Sequence, residues 1–203
     1  MDDNGDLIIV ATPWGTRSSA EKAIEEISSF FLAAKDDQEI TSPFDILTCL
    51  SVPENHLRTS VLFANQAIYK EENLAEYTTG TELFVCAKQD DFFFWSQVGN
   101  PSIILKRKGR PLIALGGTSD LSLDYSFEQN LSPLPSELLG IEPTLNVRYH
   151  NLIIHPEDRI LLLSHSSLEQ PVLLLDNPTI DEVSRTLAQM DADQPHWVAE
   201  INF

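Results

Sequence analysis

The chain has 203 residues, with 31 acidic against 13 basic side chains and a formal charge of −18. Its length suits one domain, predicted to span 1–203, and 42% hydrophobic with 22% charged residues excludes disorder along the whole chain. So negative a surface repels nucleic-acid phosphates and anionic membranes, which leaves solubility or a protein partner with a basic surface as its use.

The two cysteines, Cys49 and Cys86, belong to no CxxC pair or Cys/His array, so zinc has no support. Each sits in an apolar run and is predicted to be a buried free thiol. The opening Met1-Asp2-Asp3-Asn4-Gly5-Asp6 has no signal-peptide pattern, and no apolar run approaches the ~20 residues that span a bilayer, so a cytoplasmic protein is expected.

In chain order, Leu7 to Ala11 reads as a short buried strand, broken at Thr12-Pro13 and turned at Gly15. Ser18 or Ser19 can cap a helix running to Ala34, with Ala20, Ala23, Ile24, Ile27, Phe30 and Phe31 near one face. After a polar connection from Lys35 to Pro43, Phe44 to Leu50 is ambiguous between strand and helix. A second helix, opening at Asn55 or Thr59, runs through Tyr69, and Lys70 to Thr79 is a loop.

From Glu82 the pattern becomes strand-like, over Leu83–Ala87, Phe92–Val98, Ile103–Lys106 and Pro111–Leu115. Turn signals between them suggest one antiparallel meander. A long connection from Leu115 reaches Pro143. Leu145–Ile154 and Arg159–Ser164 read as a hairpin across His155-Pro156-Glu157-Asp158, followed by a helix from Thr179 to Met190 and a strand over Trp197–Phe203. Segregated elements of this kind predict an α+β fold, with two antiparallel β-sheets packed as a sandwich and helices on the outer faces. The inner faces are expected to carry Ile8, Val10, Val85, Phe93, Ile104 and Leu162.

Several stretches, in order, look like one known signature. Val10-Ala11-Thr12-Pro13-Trp14-Gly15-Thr16-Arg17 precedes an Ala- and Glu-rich helix. Ala64-Asn65-Gln66-Ala67-Ile68 is followed by Gly80-Thr81-Glu82-Leu83. Trp95-Ser96-Gln97-Val98-Gly99-Asn100-Pro101-Ser102 leads into strands around a Lys108-Gly109 turn. Asp158-Arg159-Ile160-Leu161-Leu162-Leu163-Ser164-His165-Ser166-Ser167-Leu168 comes next, and Asp193-Gln194 precedes the last strand. Together they resemble the type 2C, metal-dependent protein serine/threonine phosphatases. Those have V-A-D-G-x-G-G-H, A-N-x-x-I with G-T-T-L, N-V-G-D-S-R, D-x-L-L-L-C-S-D-G-L and D-N at the matching places. The resemblance covers roughly residues 7 to 203 and implies the type 2C phosphatase-like fold.

It also implies a chemistry and shows what that chemistry lacks here. Active members hold two divalent ions on carboxylates from an early Glu-Asp strand and from the D-G, S-D-G and D-N motifs, and the ions activate a water. In this chain the D-G position is Thr12-Pro13 and the S-D-G position is His165-Ser166. Asp193 is the only retained ligand position. A hydroxyl brings no charge, proline removes a backbone N–H, and imidazole is a poor Mg²⁺ ligand. The early Glu-Asp strand and the phosphate-gripping Arg ahead of it have no counterpart, so the chain reads as an N-terminally shortened, degenerate member. One sheet is then expected to be short of a strand or to have an exposed edge. That edge would be protected by charges, by the N-terminal tail or by self-association of two subunits.

The resulting expectation is a catalytically inactive phosphatase-like protein, a pseudophosphatase acting in regulation or protein interaction, with no catalytic residue and no cofactor. One alternative is a phosphoprotein phosphatase with a remodelled site that uses Mg or Mn. Another is a small-ligand sensor using the vacant cleft. His165 with Asp193 as a new acid–base pair is outweighed by a substituted pocket without chemistry. The Lys106-Arg107-Lys108-Gly109-Arg110 turn reads as a solvated hairpin tip, and Phe92-Phe93-Phe94-Trp95 as packing on both faces of one strand.

Overall fold

Apolar side chains alternate along most strands, and the computed structural model shows which alternation meets which helix. It describes residues 7–37, 41–116, 120–122, 133–190 and 195–203. The strands β1 (Leu7–Trp14), β2 (Gly80–Gln89), β3 (Phe92–Val98), β4 (Ser102–Lys106), β5 (Ile113–Leu115), β6 (Arg148–Ile153), β7 (Arg159–Leu163) and β8 (Val198–Asn202) form two four-stranded antiparallel sheets. One has the order β1-β2-β3-β6 and the other β5-β4-β7-β8. The helices are α1 (Ser18–Asp36), α2 (Val52–Ile68), the short α3 (Glu169–Leu173) and α4 (Ile180–Met190). The α+β class with two antiparallel sheets and helices is as predicted. The chain divides into two units, 1–98 with 137–153 and 99–136 with 154–203, each holding one sheet and its helices.

In the first unit, Leu7, Ile9 and Ala11 of β1 share a face with Leu83, Val85 and Ala87 of β2 and with Phe94 and Val98 of β3. That face packs on Ala23, Ile27 and Phe31 of α1 and on Leu57, Val61, Ala64 and Ile68 of α2. Phe63 of α2 joins an aromatic cluster, with its ring 4.9 Å from Phe30 and edge-on to Phe44 at 5.2 Å. On the opposite face, Phe84, Cys86, Phe93 and Trp95 are also buried, and Trp95 stacks on His150 at 5.2 Å.

The second unit repeats the logic. Ile104, Leu161 and Leu163 pack on Val172, Val183 and Leu187, while Ile103, Leu105, Ile160 and Leu162 occupy the other face of the sheet. Of the side chains expected on faces away from helices, Ile8, Val10, Phe93 and Leu162 are so placed. Val85 and Ile104 are not, because the period-two pleat turns each toward the helices.

Several local expectations are corrected. β1 does not break at Thr12-Pro13 but stays paired through Trp14. A proline is tolerated there because β1 is an edge strand. Neither Ser18 nor Ser19 caps α1, whose N-cap is Arg17. α2 opens earlier than Asn55, at Ser51-Val52-Pro53-Glu54. The Ser51 hydroxyl accepts the Glu54 N–H and the Glu54 carboxylate accepts the Ser51 N–H at 2.8 Å, a capping box with proline in the first turn. The expected loop from Lys70 begins as a π-helical turn, Tyr69–Asn73.

The meander is split, because β3 and β4 belong to different sheets. Gly99 adopts φ +86° and Pro101 has no N–H to donate to a ladder, so the chain leaves β3 instead of folding back on it. β6 and β7 likewise form no hairpin, since β6 pairs with β3 and β7 with β4 and β8. Cys49 is exposed, not buried, while Cys86 is buried as expected.

Candidate functional site

The residues at the phosphatase motif positions fall in two places, one in each unit. Thr12 and Pro13 lie side by side near the end of β1, opposite Glu82 and Thr81 of β2. The turn that follows is fixed from below. Gly15 takes φ +97°, and a Cβ there would sit 2.5 Å from the Thr78 carbonyl oxygen, so only glycine fits. The Thr79 hydroxyl donates to the Trp14 carbonyl at 2.9 Å, and the buried Ser19 hydroxyl donates to the Thr16 carbonyl at 3.0 Å.

Asn73 holds this frame in place. Its buried amide donates to the carbonyls of Thr79 (2.7 Å) and Gly140 (2.6 Å), and its oxygen accepts the N–H groups of Thr78 (2.8 Å) and Thr79 (3.2 Å). Asn65 adds a parallel tie, donating to the Glu142 carbonyl and accepting the Gly140 N–H. The segment carrying Thr12 and Pro13 is thus a rigid, paired strand, and it presents a hydroxyl and a ring where the resemblance has a carboxylate and a glycine.

His165 and Ser166 follow β7. Asp158, at the start of that segment, is buried and accepts bonds from Arg107 Nε and Nη2 and from the His155 N–H, which anchors the strand. The Ser164 N–H donates to the Trp197 carbonyl of the neighbouring β8 region. His165 is only 4% exposed, and its Nδ1 lies 2.6 Å from the Ser167 hydroxyl. Burial holds its pKa below the ordinary 6.5; the charge of Asp120 pulls the other way and His196 adds to the lowering, so the imidazole is neutral at pH 7.

Asp120 is the functional-site neighbour that sequence reading missed. It is 4% exposed, and one of its oxygens accepts from the Ser122 N–H and hydroxyl and from the Leu134 N–H. The available signal was the Asp120-Leu121-Ser122 spacing of an Asx turn inside the long connection. Among the described residues, Asp120 Oδ2, His165 Nε2 and the hydroxyls of Ser164 and Ser166 are buried without hydrogen-bond partners. Asp193 lies outside the described residues. The structure therefore brings Thr12 together with Pro13, and His165 with Ser166, Ser167 and the charge of Asp120.

Among the described residues no three His, Cys, Asp or Glu side chains converge as a metal site requires. Around His165 in the second unit, the described donors are hydroxyls, a neutral imidazole and the Asp120 carboxylate, whose Oδ1 already accepts three hydrogen bonds, and a single carboxylate offsets little of the charge of two hard divalent ions. No helix among the described residues is long and apolar enough to cross a membrane.

No protein-family model and no curated protein sequence matches the chain. Solved structures do. The PPM Ser-Thr phosphatase MsPP from Mycobacterium smegmatis, crystallised with cacodylate, is similar at a TM-score of 0.68 and 18% identity, over 98% of this chain and 88% of its own. PppA, a key regulatory component of T6SS in Pseudomonas aeruginosa, is similar at 0.64 and 17%, over 98% and 87%. The Mycobacterium tuberculosis serine/threonine phosphatase PstP is similar at 0.58 and 19%, over 91% and 80%. Two antiparallel sheets with their helices, matched over nearly the whole chain, show that this protein has the fold of the type 2C (PPM) serine/threonine phosphatases.

Proposed function

We propose that this chain is a phosphatase-like protein without phosphatase activity, a pseudophosphatase that acts in the cytoplasm through protein interaction. The observation that carries the reading is His165, a buried, neutral imidazole at the position where the resemblance calls for a ligating aspartate. A neutral ligand offsets none of the ions' charge. At about 4 Å and a protein-like dielectric, each pair of unit charges repels by about 4 kcal/mol, so two divalent ions need several carboxylates between them. Thr12 supplies no charge, and Asp193 contributes one unit. Proline after Thr12 removes a backbone N–H that a glycine there would offer.

The charge of −18 supports a partner with a basic surface. The uncharged edge strand β1 offers self-association as a further mode of contact. The test is calorimetric titration of the purified protein with Mn²⁺ and with Mg²⁺. The reading expects no saturable binding at physiological Mg²⁺, and stoichiometric uptake of two ions would overturn it.

A further inference from the structure

We propose that the open edge of β1 pairs with β1 of a second copy of this chain, antiparallel and across a two-fold axis at Val10, so that two four-stranded sheets join into one. The edge lies wholly in the first unit. This pairing rests on the interaction role proposed above for its use, not for its geometry, since a chain that hydrolyses phosphate would pair in the same way.

The outward-facing groups of β1 are fixed by β2. Thr81 of β2 donates its N–H to the Leu139 carbonyl at 3.1 Å and accepts the Leu139 N–H at 2.9 Å, so both of its backbone groups point away from β1. Pro13 is opposite Thr81 in the ladder, and opposed residues of an antiparallel pair either exchange both bonds or neither. Pro13 therefore turns its backbone away from β2, which is how an edge strand keeps a proline. By the period of two, Ile9 and Ala11 do the same. Among the described residues only β2 pairs with β1, so the N–H and C=O groups of Ile9 and Ala11 form an unused half-ladder.

The other edge strands are guarded. β5 is three residues long, β6 carries Arg148 and β8 carries Glu200, and short length and charge both resist edge-to-edge pairing. β1 has eight residues without a charge, and the uncharged run continues through Gly15 to Thr16. Its one guard, Pro13, stands near its end.

A second copy fits this edge because β1 is complementary to itself. With the two Val10 residues opposed, Ile9 of each copy faces Ala11 of the other, and each such pair exchanges both of its hydrogen bonds. Pro13 lies beyond these pairs. The opposed side chains are apolar at Val10 and at Ile9 with Ala11, and uncharged at Ile8 with Thr12. Each chain carries −18, so two copies repel over most of their surface, and an uncharged strand lets them touch without opposing carboxylates. A basic partner would find no charge to meet along β1.

The test is sedimentation equilibrium of the purified protein over a range of protein and NaCl concentrations, with amide hydrogen exchange at the lowest and highest protein concentrations. A monomer–dimer equilibrium that stops at the dimer is expected, and it tightens as salt screens the like charges. The Ile9 and Ala11 amides slow as the dimer fills, and slow more than that of Val10, which faces β2. Ala11→Pro removes an outward N–H without touching the β1–β2 ladder and is expected to weaken the dimer about tenfold or more. A protein monomeric at every concentration, a dimer whose Ile9 and Ala11 amides exchange as in the monomer, or a folded Ala11→Pro that dimerises with unchanged affinity would each overturn the proposal. The first two are read on the unsubstituted protein and decide even where the variant folds poorly. Each would leave the account of Thr12, Pro13, His165 and Ser166 as it stands.

Discussion

Removing the side chain of Asn73 should destabilise the protein more than any surface change. Asn73→Ala breaks its bonds to the Thr79 N–H and carbonyl and to the Gly140 carbonyl, all on buried residues, and to the N–H of the exposed Thr78. Each buried backbone group left without a partner costs about 1 kcal/mol net, so the loss should be about 3 kcal/mol. The Thr78 N–H can turn to water and adds little.

Asn73→Asp is the sharper control. It keeps an acceptor for the two N–H groups but aims a carboxylate at two carbonyl oxygens. Ionisation is disfavoured in the folded state, so the folded pKa of the introduced carboxyl lies above its unfolded value. Its folding is then best below the unfolded pKa and worsens as pH rises through the folded one. Urea unfolding followed by circular dichroism at pH 7 and pH 5 reads both effects. A loss under about 1 kcal/mol for Asn73→Ala, or a destabilisation by Asn73→Asp, relative to the unsubstituted protein at the same pH, that is smaller at pH 7 than at pH 5, would refute the reasoning.

Three further outcomes are expected. Gly140→Ala should lower stability by about 2–4 kcal/mol in the same unfolding assay, because Gly140 sits at φ +87° and a Cβ would lie 2.2 Å from Ile68 Cγ2. Cys49 should react with a thiol reagent within the native protein. Cys86, whose thiol pKa burial drives far upward against the Ile8 N–H, should react only on unfolding, and two fast thiols in the folded protein would contradict this. His165 has a folded pKa below its unfolded value, so its contribution is present above about 6.5 and is lost as pH falls through the folded pKa. His165→Gln should therefore flatten the loss of stability between pH 7 and pH 5, and an unchanged slope would show that His165 is not the titrating group.

The fold was legible where motif order carried it. Helical periodicity in Ala20 to Phe31 and Leu57 to Ile68 located α1 and α2, and Thr179 to Met190 located α4. Pairing was not legible, because alternation marks a strand without naming its neighbour. Phe92–Val98 and Ser102–Lys106 are adjacent in sequence and sit in separate sheets. The start of α2 is spelled by the capping box Ser51-Val52-Pro53-Glu54, but the apolar run Phe44 to Leu50 directly ahead of it has no period that separates helix from strand.

At the site, the substitutions Thr12, Pro13, His165 and Ser166 were readable residue by residue. Their surroundings were not. The Asn73 clamp joins groups 67 residues apart, and Asp120 reaches His165 only as a charge through space. Such long-range hydrogen bonds and fields leave no periodic trace in a single sequence.

The type 2C phosphatase fold is proposed to stand here without hydrolytic chemistry. The most direct measurement is hydrolysis of a phosphopeptide and of an aryl phosphate by the purified protein, with Mn²⁺ and with Mg²⁺, alongside Asp193→Ala. The account predicts no metal-stimulated turnover and no difference between the two proteins. Turnover that rises with the metal and vanishes in Asp193→Ala would contradict it.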